Sequence, residues 1–151
     1  MLRILQIAIP FVWFGMIGAI SFMEAPLKFR APGITLALGL GIGRLVFQAL
    51  NIVEIVLAIL LLISIFVHRP TGKIIIPAFG LILTILALET VWLLPALDAR
   101  AELVIQGSAV PPSYLHFLYI AFDALKFLLL FALGIGLAKQ NLRFEQTNEG
   151  Y

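Results

Sequence analysis

The chain has 151 residues, 62% of them hydrophobic and only 12% charged, with a formal net charge of +2 and no cysteine. Soluble domains carry about 25% charged residues, so this is the composition of a membrane protein. The absence of cysteine excludes disulfides, thiolate metal sites and cysteine nucleophiles, and the small, scattered positive charge gives no basis for a nucleic-acid partner.

Four apolar segments are each long enough to cross a hydrocarbon core of about 30 Å, which takes roughly 20 helical residues. The first covers about 4–23 (ILQIAIPFVWFGMIGAISFM). Its basic start, MLR, resembles that of a signal peptide. Its apolar run exceeds the 7–15 residues of a signal core, however, and no small-residue cleavage site follows, so it reads as a retained helix. The connection "EAPLKFRAP" (24–32) leads to the second segment, about 34–67. At 1.5 Å per residue that segment would span about 51 Å, more than the bilayer needs. Four glycines in "GITLALGLGIG" (33–43) favour a bend near Gly41. The turn "HRPTGK" (68–73) precedes the third segment, about 74–97. The loop "DARAELVIQGSAVPPS" (98–113) precedes the fourth, about 114–138, and a polar tail occupies 139–151. Arg3, Arg69, Lys73, Lys139 and Arg143 fall at one end of this topology, and Lys28, Arg30 and Arg100 at the other. By the positive-inside rule both termini are cytoplasmic, in a multi-pass protein of the cell (inner) membrane whose surroundings are the lipid bilayer.

The second segment carries a polar stripe. Arg44, Gln48, Asn51 and Glu54 fall within an arc of about 120° on a helix. In the fourth segment His116, Tyr119, Asp123 and Lys126 share an arc of about 80°. The third contributes Glu89. Counting from the loops at the end opposite the termini, Asn51, Glu54, Glu89 and Asp123 reach depths of about 13–20 Å, near mid-membrane, with Arg44 and His116 above them. A charge at a helix centre costs about 2.5–3.5 kcal/mol towards lipid, so these groups must turn inward. Two cations, Arg44 and Lys126, meet three carboxylates, Glu54, Glu89 and Asp123. One carboxylate is in surplus and must be protonated, partnered by a charged His116 or balanced by a bound cation. Glu89 is the candidate, because its own helix offers no basic neighbour. Arg44 is expected to pair with Asp123 and Glu54 with Lys126, while Glu89 is within reach of Asn51 or Tyr119. Trp13 and Trp92 read as packing or interface aromatics, and Asp98, Arg100 and Glu102 as a solvated helix end.

Several chemistries find no support. The chain contains no Walker loop, GxGxxG or HExxH, and no Glu-x-x-His of the di-iron type. The two histidines, His68 and His116, lie a membrane apart, so bis-histidine haem ligation within the chain is excluded. No cofactor, metal site or catalytic set is expected.

Four stretches resemble the small bacterial membrane proteins related to transmembrane protein 205, a four-helix family. They are "WFGMIGAISFMEAPLKF" (13–29), "GRLVFQALN" (43–51), "LDAR" (97–100) and "YLHFLYIAFDALKFLLL" (114–130). The resemblance implies a four-helix fold with Arg44, Arg100 and His116 near the outer face. Glu54 and Lys126 match no feature of that family.

The expectation is an all-α transmembrane four-helix bundle with a buried ionic cluster, residues 1–138 forming one domain. Three functions compete. The first is binding or transport of a small solute, ion or proton along Arg44, Gln48, Asn51, Glu54, Glu89, His116, Tyr119, Asp123 and Lys126. The second is an accessory subunit of a larger membrane complex, or a homo-oligomer, in which the ion pairs are structural. The third is a membrane-embedded enzyme acting on a lipid or quinone. An internal cavity favours the first, an outward polar stripe the second, and an apolar cleft beside the carboxylates the third.

Overall fold

The computed structural model describes residues 2–148, and side-chain surroundings for residues 3–141. Four helices, each long and apolar enough to cross a membrane, make up a multi-pass bundle: α1 (Arg3–Arg30), α2 (Leu36–Val67), α3 (Ile75–Ile105) and α4, whose membrane-length part is Leu115–Asn141. Among the described residues there is no strand.

The first, third and fourth helices outrun the hydropathy segments, whereas the second, Leu36–Val67, stays within its own. α3 continues through "LPALDARAELVI", which is rich in good helix formers, and stops at Gly107. There φ is +80°, and Ser108 N–H and Gly107 N–H bond to the carbonyls of Leu103 and Val104, a Schellman closure. α4 runs on to Asn148, so most of the expected tail 139–151 is helical, and its last three residues lie outside the described ones. α2 is one continuous α-helix from Leu36, with the Thr35 hydroxyl accepting from Leu38 N–H at 3.2 Å as its cap. The helix is unbroken across Gly41. Gly39 and Gly43 serve close approach: a Cβ on Gly39 would run into the Phe29 ring, and one on Gly43 would lie 2.9 Å from Lys28 Nζ.

Two helices widen into π turns, Gly18–Glu24 in α1 and Glu89–Leu93 in α3. Each turn closes with a bond five residues back, Ala25 N–H to Ile20 and Leu94 N–H to Glu89, and the next residue is a proline, Pro26 or Pro95. Proline lacks the N–H and crowds the carbonyl four residues behind it, so a wider turn relieves both problems at once. The second π turn begins at Glu89 and sets the level at which that carboxylate enters the bundle.

The bundle is layered along its axis. The half nearer the start of α1 holds the apolar core, packed from Ile9, Trp13, Ile17, Leu61, Ile82, Leu130 and their neighbours, with buried Gln6 bonding to the Ser64 and His68 carbonyls at its end. Above it lies a layer of charged groups, and above that a cavity. Large apolar side chains such as Leu45, Ile52, Phe66, Val91 and Phe117 point outward, as lipid-facing residues do.

Candidate functional site

The charged layer centres on Lys126, which is completely buried. Its ammonium lies 2.7 Å from Glu54 Oε1 and 3.0 Å from Asp123 Oδ1, and it pairs with Glu89 Oε2 as well. Three helices thus deliver three carboxylates to one cation: Glu54 from α2, Glu89 from the π turn of α3, and Asp123 from α4, three residues before Lys126. The first helix contributes a neutral donor. Trp13, fully buried, gives its indole N–H to Glu54 Oε1 at 2.7 Å. Glu54 is therefore the best-satisfied of the three acids. Neither oxygen of Glu89 nor of Asp123 accepts a hydrogen bond of normal geometry among the described residues, although both acids are ion-paired. Tyr119, one turn above Asp123, is buried beside it.

Arg44 does not join this layer. It reaches sideways to α3, with Nε 2.5 Å from Asp98 Oδ1 and Nη2 3.0 Å from Asp98 Oδ2, and its Nη1 pairs with Glu102. The expected Arg44–Asp123 pair is replaced by a fork of Arg44 on an i, i+4 acid pair. This pair becomes available because α3 continues past Leu97, turning a presumed solvated end into a helix face. Gln48 adds a long contact to Asp98 at 3.4 Å, and Asn51 donates to Thr90 Oγ1 at 2.8 Å. The polar stripe of α2 is thus read along its upper length by α3, and at Glu54 by α1 and α4. Glu89, expected near Asn51 or Tyr119 and without a basic neighbour, has Lys126 as its partner.

Removing Arg44 from the layer sharpens its charge count. One buried ammonium faces three buried carboxylates, a formal charge of −2 rather than the −1 expected from the sequence. The ammonium occupies the point where the carboxylates converge. No group of three or more metal-ligating side chains among the described residues is arranged to hold an ion.

Directly above the layer, a cavity of about 900 Å³ opens among all four helices. Asp123 and Tyr119 form its floor, Asn51, Gln48, Arg44 and Asp98 line one wall, and Lys28 and His116 stand towards its mouth. Glu54, Glu89 and Lys126 lie beneath it and do not line it. Of the nine residues expected to form a pathway, six line the cavity and four form the charged layer, with Asp123 shared by both. Sequence reasoning missed Trp13, Thr90, Asp98 and Glu102 as partners, and Lys28 as a lining residue. The spacing of Asp98 and Glu102 on a helix-forming segment was the available signal for the second pair. Arg100 bonds to the Pro111 carbonyl and ties down the loop between α3 and α4.

Compared with protein-family models, with curated proteins and with solved structures, the chain finds no match in any of the three.

Proposed function

We propose that the protein binds and moves a small solute across the membrane together with protons, using the cavity as an entry vestibule and the Lys126 layer as the proton-holding centre. One observation carries this reading: Asp123 belongs to both structures at once. It is fully buried, it forms the cavity floor, and it is a member of a cluster with formal charge −2. An enclosed excess of two negative charges is not sustained in a low-dielectric interior, so protons or a cation must reside there. Whatever enters the cavity meets the group at which that exchange takes place.

The accessory-subunit reading draws less support, because the polar groups of α2 and α4 face into a single protomer instead of outward. The enzyme reading draws less again, since no nucleophile or base pair accompanies the acids. By the distribution of Lys and Arg, the cavity opens outward and both termini are cytoplasmic. The test is proton flux in vesicles containing the purified chain and a pH-sensitive dye, under an imposed gradient. Flux above that of protein-free vesicles supports the reading, and flux equal to theirs removes it.

A further inference from the structure

The charges around the cavity are strongly one-sided. Six of the chain's eight acidic residues line the cavity, pair with a cation that lines it, or lie in the layer below: Asp98 and Asp123 line it, Glu24 and Glu102 pair with Lys28 and Arg44, and Glu54 and Glu89 lie beneath. Among the described residues, three cations are ion-paired with them, Lys28, Arg44 and Lys126. His116 is exposed at the mouth. An anion entering this space would find these three cations already paired and a surplus of carboxylates. A cation would find the reverse.

The walls suit such a guest. Between the polar groups they are lined by Phe22, Phe29, Phe47, Leu94 and Ile120. One ammonium is already held against these rings: Lys28 Nζ lies 5.2 Å from the Phe47 centroid and 5.6 Å from that of Phe29. Ring faces attract cations, more strongly when water is excluded. At the floor, Asp123 is fully buried and shares the Lys126 ammonium, 3.0 Å from its Oδ1, with Glu54 and Glu89, so one cation is divided among three carboxylates and Asp123 keeps acceptor capacity towards the cavity. The volume, about 900 Å³, is at the upper end of that of sites for drug-sized molecules.

From Asp123 at the floor, which shares its one cation with two other carboxylates, from the aromatic walls and from the acidic surplus, we infer that the cavity takes an amphipathic organic cation, an amine with an apolar body. Its ammonium lies on Asp123 and its body against Phe22, Phe47 and Ile120. This rests on the reading of the cavity as a solute site and names the class of solute.

The test uses the purified full chain in detergent and three probes that share one apolar body: 1-naphthylmethylamine, 1-naphthylmethanol and 1-naphthoate. The amine should bind saturably, with the alcohol and the carboxylate about ten- to hundred-fold weaker, the loss expected for one charge-assisted hydrogen bond. Asp123→Asn should weaken the amine by a similar factor and leave the alcohol unchanged. Ile120→Trp, at a partly lipid-facing position that tolerates bulk, should weaken both by filling the cavity. Naphthoate binding as tightly as the amine would overturn the inference while leaving the cavity a binding site. No saturable binding of any probe would overturn both. Saturable amine binding in a protein that gives no proton flux would uphold the ligand class and remove the transport reading.

Discussion

Lys126 Nζ and Glu54 Oε1 stand 2.7 Å apart with both side chains essentially sealed from solvent. Breaking a buried pair by removing one partner typically costs about 3–5 kcal/mol, because the remaining charge is left uncompensated. Here the two directions are unequal. Lys126→Met strands three carboxylates around an empty centre, whereas Glu54→Gln brings the layer closer to neutrality and keeps an acceptor for Trp13. Thermal unfolding in detergent should therefore show a large loss for Lys126→Met and a small one for Glu54→Gln. Adding Glu54→Leu to Lys126→Met should recover part of the loss. Equal losses for the two single variants would mean that the net charge of the layer is not what governs its stability.

The Arg44 fork on Asp98 and Glu102 is an interhelical clamp between α2 and α3 that stands apart from the charged layer. Coupling should follow the same division. In double-mutant cycles of thermal stability, Arg44→Ala with Asp98→Ala should be strongly non-additive, and Arg44→Ala with Asp123→Ala additive within error. The opposite pattern would restore the Arg44–Asp123 pairing that helix spacing alone suggests.

Orientation is testable because the native chain has no cysteine. A cysteine at Gln106, in the turn after α3, should react with an impermeant thiol reagent in intact cells. One at Thr71, between α2 and α3, should react only after lysis. The reverse labelling would place the cavity on the cytoplasmic side and invert the direction from which a solute enters.

The sequence made the four helices legible, because long apolar runs leave the backbone no alternative in lipid. It also made the polar faces of α2 and α4 legible, and with them the Glu54–Lys126 pair, since helical spacing fixes which side chains share a face. Three things stayed hidden, each for a physical reason. Hydropathy ended the third helix at Leu97, so Asp98 and Glu102 looked solvated and Arg44 was matched to Asp123. The basic partner of Glu89, Lys126, comes from another helix, so the lack of a basic neighbour on its own helix did not reveal it. Trp13 looked like packing because an indole is mostly apolar. Only the neighbouring carboxylate reveals that its N–H is used.

The central claim is that the layer beneath the cavity holds and exchanges protons, and Glu89→Gln in reconstituted vesicles tests it most directly. Glutamine keeps the shape of the protonated acid but cannot release a proton. Proton flux, read with an enclosed pH-sensitive dye, should fall to the level of protein-free vesicles. Thermal stability should stay close to that of the wild type or rise, since one of three carboxylates crowding Lys126 has been neutralised. Flux in Glu89→Gln equal to that of the wild type would contradict the account and leave the Lys126 layer a structural ion-pair network.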